Sequence, residues 1–144
     1  YLSANLPDGA IFDVSINGIE GTMAGQVSFS WKGKVVLLRF WATRCESCKI
    51  EMPKLQSSFR NMTADGLVVI GVNVEDPPEK VGQFVRELGL TFPNLIDENK
   101  KVTLLYQVYG VPTTFLIDRK GIIKERIFGD LNKESIENIV KPLL

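Results

Sequence analysis

The sequence of 144 residues contains no histidine and only two cysteines, Cys45 and Cys48, and these two shortages restrict the chemistry it can perform. A structural zinc ion normally takes four cysteine or histidine ligands, so a zinc site in this chain would need carboxylates to complete it. Histidine is also the side chain that most readily carries a proton near neutral pH. An acid or base in this protein must therefore come from another residue type.

The sequence also lacks an excess of either charge. It contains 17 lysines and arginines against 17 aspartates and glutamates, which gives a formal net charge of zero at pH 7. A protein that binds nucleic acid or anionic lipid through its overall field needs a surplus of cations. Partners of this chain are therefore expected to be recognised by local shape and by sulfur chemistry.

Long apolar runs and dividing segments are missing as well. No run approaches the ~18 consecutive apolar residues of a transmembrane helix, and no repeat, low-complexity tract or linker interrupts the chain. At 144 residues with 44% hydrophobic composition, the sequence predicts one globular domain over residues 1–144 with a core of useful size.

Both cysteines lie in the stretch WATRCESCKIEMP at residues 41–53, where a strand is predicted to become a helix. The apolar run Val35 to Trp41 is too short and too continuous for an exposed helix, and it predicts a buried central strand. Residues 49–62 have helical composition. Cys45 should then lie at a helix N-terminus, where free N–H groups and the helix dipole favour a thiolate. The apolar side of this helix is predicted to consist of Ile50, Met52, Leu55 and Phe59.

Three interpretations of the Cys45/Cys48 pair compete. A metal site is disfavoured by the number of available ligands. An inert structural disulfide would close too short a loop to remove much entropy from the unfolded chain, so it would stabilise little. A redox-cycling dithiol suits the position, because Cys-x-x-Cys at a strand-to-helix junction can alternate between a disulfide and a thiol–thiolate pair.

The residues around the two cysteines resemble the active-site signature of the thioredoxin superfamily. The tripeptide FWA at residues 40–42 precedes Cys-x-x-Cys, and Pro53 lies five residues beyond it. The longer string from residue 33 to residue 53 is similar to the extracytoplasmic ResA/TlpA/CcmG branch. A second block at residues 109–118, YGVPTTFLID, resembles the segment of that branch that carries a cis-proline.

The resemblance implies an α/β thioredoxin-like fold, in which a mixed central sheet flanked by helices has an N-terminal β-hairpin and a central helix and strand insertion. A period-2 strand at 10–16, the turn signal Asn17-Gly18 and a strand near 27–31 predict the hairpin at one edge of the sheet. Further strands are predicted at 67–74, 92–96, 113–118 and 122–128, with helices at 49–62, 77–88, near 102–106 and after Asn132.

The resemblance also implies a protein thiol-disulfide oxidoreductase with a redox-active disulfide. Cys45 is expected to be the exposed nucleophile that attacks a client disulfide, and Cys48 the buried thiol that resolves the mixed disulfide. Pro112 is expected in a cis bond with Val111, opposite the dithiol. The substrate-binding residues are predicted to be Trp41, Val111, Pro112 and Thr113. The chemistry requires no dissociable cofactor and no metal.

The implied partners are protein disulfide or dithiol clients and a membrane-embedded electron donor, with no nucleic acid. The implied location is extracytoplasmic, in the periplasm or at the outer face of the cytoplasmic membrane, with anchoring through an N-terminal segment absent from this sequence. Strongly oxidising relatives often carry a histidine between their cysteines, so its absence favours a reductant, with cytochrome c maturation as one such role. The alternative is a thioredoxin-like binding module that holds a cysteine-bearing client or a thiophilic metal without turnover.

One departure from the superfamily pattern concerns proton handling. Arg39 stands at the strand position where ordinary thioredoxins carry a buried acid, and a buried arginine without compensation is costly, so Arg39 is expected to snorkel or to pair. The proton-handling role of that acid must then fall to another residue or be absent. We assign it to Glu75, expected to be partly buried at a strand end beside the thiols, with Asp76 as the alternative. The competing interpretation is a solvated Glu75 that helps to begin the next helix.

Other departures lie beside the cysteines themselves. Arg44 replaces the usual aromatic residue before Cys45, and an adjacent cation would favour its thiolate. Ser47 replaces the usual proline between the cysteines. Glu46 adds a negative charge that opposes Arg44, although exposed charges of this kind contribute little.

Overall fold

The computed structural model describes residues 13–18, 25–30, 33–97 and 99–144. Within these residues, seven strands form one mixed sheet in the order β2-β1-β5-β4-β3-β6-β7. The strands are β1 Asp13–Gly18, β2 Gly25–Ser30, β3 Val35–Trp41, β4 Leu67–Val74, β5 Asn94–Asp97, β6 Thr113–Ile117 and β7 Ile123–Phe128. The helices are α1 Glu46–Met62, α2 Pro78–Glu87, α3 Lys101–Leu105 and α4 Lys133–Val140, with short 3₁₀ helices at Thr63–Asp65 and Lys141–Leu143. Over the described ranges, no helix combines the length and the apolar character needed to cross a membrane.

Strand β3 lies in the interior of the sheet and is buried along its whole length, as its apolar sequence predicts. It runs parallel to β4 and antiparallel to β6. Because successive side chains of a strand point to opposite faces, the odd-numbered apolar side chains of β3 enter a core shared with α1, α2 and α4. The even-numbered side chains enter a second core that includes Val102 of α3. Arg39 is odd-numbered, so its side chain lies on the same face of the sheet as α1.

Helix α1 begins directly after Cys45, just past the carboxyl end of β3, and continues through Pro53. Its buried face includes Cys48, Glu51 and Leu55, which follow the spacing of one helical face. Ile50 was predicted on the apolar side, but it is 65% exposed. That prediction is wrong because a residue two positions from Cys48 is turned about 200° away from it around a helix of 3.6 residues per turn.

The N-terminal hairpin lies at the predicted edge of the sheet, but its turn does not lie at Asn17-Gly18. Both residues belong to β1, where they pair with Gln26 and Gly25 of β2. The same two residues also pair with β5, so partners on both sides hold them in strand conformation and override the local turn signal. The connection falls in residues 19–24, and these, like residues 10–12 and 31 of the predicted strands, lie outside the described residues.

The remaining elements agree with the sequence pattern. Strand β5 and helix α3 supply the predicted central insertion, and β6 with β7 forms the predicted antiparallel pair. Asn132 caps α4, since its Oδ1 accepts a hydrogen bond of 2.8 Å from the N–H of Ser135. The thioredoxin-like fold class is therefore confirmed.

One close approach fixes β3, β4 and β5 relative to each other beneath the active site. The Trp41 indole Nε1 donates a hydrogen bond of 3.0 Å to Asn94 Oδ1, and both groups pass over Gly71 of β4. A Cβ atom at Gly71 would overlap Asn94 Oδ1 and would lie 2.9 Å from Trp41 Nε1. Only glycine leaves room for this contact.

We predict that Gly71→Ala lowers the free energy of unfolding by about 2–3 kcal/mol, because it overpacks a buried contact that cannot move aside. Gly82→Ala is the matched control, since its Cβ would meet only the flexible end of Arg86 at 3.2 Å. In a helix interior this change should be neutral or stabilise by up to about 1 kcal/mol. Urea unfolding of both oxidised variants gives the comparison, and equal stabilities would contradict it.

Candidate active site

The loop that presents the cysteines is held by the end of the neighbouring strand. Asp76 follows β4, and its Oδ2 accepts a hydrogen bond of 2.6 Å from the N–H of Thr43. Asn73 in turn donates to the same oxygen at 2.9 Å. The loop then folds back on itself, as the N–H of Cys45 donates to the carbonyl of Ala42 at 3.1 Å. Asp76 thus positions the chain between β3 and α1.

Cys45 and Cys48 form a disulfide across the first turn of α1, with their Cα atoms 5.3 Å apart. Cys48 is fully buried, whereas Cys45 is half-buried. Cys45 is also the N-cap of α1, because its sulfur accepts a hydrogen bond of 3.3 Å from the N–H of Cys48. The hydroxyl of Ser47 lies 3.4 Å from the same sulfur. The accessible sulfur is therefore the one that receives the helix N-terminal donors.

The proline loop, residues 110–113 around Pro112, adjoins this site because β6 pairs with β3. Thr113 pairs with Phe40 near the carboxyl end of β3, and the Val111-Pro112 bond just before it is cis, which confirms the prediction for this proline. The Thr113 hydroxyl donates to the carbonyl of Gly110 at 2.7 Å. Within the described ranges, the backbone N–H and C=O of Val111 have no hydrogen-bond partner. The loop therefore leaves the backbone N–H and C=O of one residue, Val111, open to a partner.

A buried ion pair lies beneath the dithiol. Arg39 is fully buried, and its Nη2 lies 3.0 Å from Glu51 Oε1. Its Nη1 also donates to the hydroxyl of Thr114 at 3.2 Å. Glu51 Oε1 accepts a further hydrogen bond of 2.6 Å from the N–H of Leu131. The expectation that Arg39 pairs rather than stays uncompensated is confirmed.

Burial raises the pKa of Glu51 above its ordinary value of 4.5. The hydrogen bonds from Leu131 and Arg39 act in the opposite direction, and the nearby Asp130 raises this pKa further. Glu51 Oε2 has no hydrogen-bond partner among the described residues. A cavity of about 200 Å³, lined by Ser47, Glu51 and Asp130 among others, connects this carboxyl to the surface.

The comparisons with known proteins agree with this geometry. The family described as AhpC/TSA matches residues 11–126. The chain belongs to this family. It is 41% identical over 107 residues to the thiol-disulfide oxidoreductase ResA of Geobacillus kaustophilus, covering 74% of this chain and 62% of that protein. It is 33% identical over 128 residues to ResA of Bacillus subtilis, covering 86% of this chain and 72% of that protein.

A solved structure shares the whole architecture of this AhpC/TSA-family chain. It comes from Chlorobium tepidum and is described as a candidate thiol:disulfide interchange protein DsbE, with 28% identity, a TM-score of 0.82 and 99% of both chains covered. These similarities confirm the predicted relation to thioredoxin-like proteins of the ResA type. The chain spans about 62% of the length of the Geobacillus relative.

Two residues predicted from the signature lie differently from expectation. Trp41 is fully buried, with its ring 4.5 Å from the ring of Phe84. It cannot contact a substrate, so that prediction is wrong, and its role is to brace β3 against its neighbours. Glu75 was expected to be partly buried, but its side chain is 43% exposed and pairs with Lys100 at 3.0 Å. Its backbone φ of 65° begins the loop after β4.

Sequence reasoning did not identify Glu51, although a signal for it was present. Glu51 follows Cys48 by three residues, so a carboxylate stands on the buried stripe of a helix. Arg39 is the matching exception in a strand that is otherwise apolar. Two opposite charges in two buried elements predict a pair, because neither is stable there alone.

The ion pair predicts a non-additive effect on stability. Arg39→Met should lower the free energy of unfolding by about 3 kcal/mol or more, since it leaves Glu51 buried without its cation, and Glu51→Gln should also destabilise. The double variant should be less destabilised than the sum of the two by about 1–3 kcal/mol. Chemical denaturation of the four proteins measures this coupling, and additive effects would show that the two charges do not depend on each other.

Proposed function

We propose that this domain is a thiol-disulfide oxidoreductase that exchanges the Cys45/Cys48 dithiol with disulfides in protein clients. The observation that carries the proposal is the asymmetry of the pair, in which a half-buried sulfur at a helix N-terminus adjoins a fully buried one. The named activity of the ResA relatives supports the same assignment.

In the reducing direction, the Cys45 thiolate attacks one sulfur of a client disulfide. That bond breaks, and the other client sulfur leaves as a thiolate and takes up a proton. Cys48 then loses its proton and attacks the Cys45 sulfur, which releases the second client sulfur and closes the Cys45–Cys48 disulfide. Two electrons have passed to the client. The N–H of Cys48, which points at the Cys45 sulfur in the disulfide, stabilises the thiolate of the reduced form.

The client is positioned by the open backbone N–H and C=O of Val111. An extended client segment can pair with the Val111 N–H and C=O as an added strand would, while its cysteine faces Cys45. Pro112 and Thr113 are buried, so their contribution is the shape of the loop. This assigns substrate binding to the backbone before Pro112.

We assign proton transfer at Cys48 to Glu51 in place of Glu75. Glu51 lies one helical turn beyond Cys48 on the same buried face. A carboxyl whose pKa is raised by burial is suited to accept and return a proton near neutral pH. The cavity beside Asp130 gives that proton an exit to solvent.

The proposed physiological direction is reduction of clients outside the cytoplasm. A protein that reduces clients must itself be reduced again, and a membrane-embedded electron donor would supply those electrons across the membrane. The proposed client is apocytochrome c in its disulfide form, which the reaction would convert to two thiols. The residues between the cysteines are Glu46 and Ser47, with no histidine, and this supports the reducing direction.

The division of labour between the cysteines predicts a trapping experiment. Cys48→Ser should accumulate mixed disulfides with client proteins through Cys45, because the resolving thiol is gone. Cys45→Ser should trap almost none, since Cys48 is buried. Non-reducing gel electrophoresis after incubation with a disulfide-containing substrate reads out both. Preferential trapping by Cys45→Ser would reverse the assigned roles.

The proton assignment predicts a change in the pH profile. Glu51→Gln should slow reduction of a peptide disulfide by about tenfold near pH 7 and remove the part of the pH dependence caused by this carboxyl. Glu75→Gln serves as the comparison, because its exposed ion pair with Lys100 should leave the profile unchanged. The measurement is the second-order rate constant from pH 5 to 9. If instead only Glu75→Gln changes the pH dependence, Glu75 is the proton-transfer residue.

A further inference from the structure

A second cavity opens between Arg44, which directly precedes Cys45, and the loop before Pro112. It has a volume of about 230 Å³. Its apolar lining comes from Val74, Leu104, Val108 and Val111, and its rim carries Arg44, Lys100 and Tyr109. Leu104 is 61% exposed and Tyr109 is 84% exposed. Val111, whose backbone N–H and C=O are open to a client, therefore forms part of the wall of this cavity.

One cation at this rim is uncompensated. Lys100 pairs with Glu75 at 3.0 Å. Glu46, the carboxylate nearest in sequence to Arg44, pairs with Lys49 at 3.4 Å instead. Within the described part of the chain, Arg44 forms no ion pair with a carboxylate. Glu46 therefore does not neutralise the charge of Arg44 by direct contact, although the sequence places the two charges close together.

We propose that Arg44 selects protein clients that carry a carboxylate two residues from the reacting cysteine. This deepens the proposed function and depends on it. Side chains of an extended segment alternate between faces, so a residue two positions from the client cysteine faces the same way, about 6.6 Å along the strand. Arg44 directly precedes Cys45 and lines the cavity, so a client residue that faces this cavity from beside the reacting cysteine comes toward its guanidinium.

The apolar lining decides the form of the side chain that fits. The methylene groups of a glutamate can lie on Leu104 and Val108 while its carboxylate reaches the Arg44 guanidinium at the rim. A lysine in the same place would bring two like charges together. Because the whole protein has no net charge, long-range steering does not obscure this local preference.

The test uses the Cys48→Ser protein, in which the mixed disulfide is the end product. Each probe is a short peptide whose single cysteine is disulfide-bonded to thionitrobenzoate. The Cys45 thiolate attacks the peptide sulfur, the peptide–thionitrobenzoate bond breaks, and the coloured thiolate that leaves gives the rate. The peptides carry glutamate, glutamine or lysine two residues before or two residues after the cysteine.

The measured quantity is the ratio of rates for the glutamate and lysine peptides with one and the same protein. Arg44 also affects the reactivity of Cys45, but that effect cancels in the ratio. For at least one of the two positions we expect a ratio of about three to five, the upper range for an exposed ion pair. The ratio should approach one between about 10 mM and 1 M salt, as the screening length falls from about 30 Å to about 3 Å.

Arg44→Glu should invert the ratio, and Arg44→Gln should bring it close to one. Lys49→Glu is the matched control, because it makes the same charge change one turn into α1, outside the cavity lining, and should leave the preference in place. A peptide with glutamate one residue from the cysteine should show a smaller preference, since that side chain faces away.

If the glutamate-to-lysine rate ratio is the same in the Cys48→Ser protein with and without Arg44→Glu, the inference is overturned while the exchange function stays intact. The inference is also overturned if glutamate is preferred equally one residue and two residues from the peptide cysteine, because the preference would then come from a diffuse charge effect. If no peptide reacts with the parent, the exchange function itself fails, and the inference fails with it.

Discussion

The ion pair between Arg39 and Glu51 connects β3, α1, β6 and the segment before α4 beneath the dithiol. Arg39 comes from the central strand and Glu51 from the helix that carries Cys48, and each has a second partner, Thr114 on β6 and Leu131 before α4. Removing either charge would leave the other almost wholly buried without its partner, and this penalty is far larger than the stabilisation that an exposed ion pair contributes. The core therefore tolerates these charges only in one relative arrangement of strand and helix, and that arrangement sets the position of the cysteines.

What could be predicted from the sequence was mostly local. The apolar run of β3, the Cys-x-x-Cys at its end and the cis bond before Pro112 belong to short patterns that determine their own conformation or match the resembling family closely. The turn at Asn17-Gly18 failed because its residues pair with two strands at once, one of them about 80 residues away along the chain. Pairing at that distance leaves no trace in a window of a few residues.

The errors within the site have a different origin, because sequence position does not determine where a side chain points. Trp41 belongs to the signature and also to a strand that is buried on both faces, and burial decides its role. Glu75 follows the strand end as predicted, yet the backbone turns there with a positive φ and the carboxylate meets Lys100 at the surface. Glu51 is harder to predict because the apolar residues of α1 mark its buried side, and a carboxylate within two turns of the helix start fits the solvent side equally well by sequence alone.

The two arginines near the dithiol act on different parts of the reaction because of where they lie. Arg39 has no exposed surface, so no client can reach it, and its charge acts only through Glu51 on the stability and the proton chemistry of the interior. Arg44 is exposed beside Cys45, the proposed nucleophile, where a charge adds little to stability but would be present at every encounter with a client. A change in the buried pair should thus alter all clients alike, whereas a change at Arg44 should alter one client relative to another.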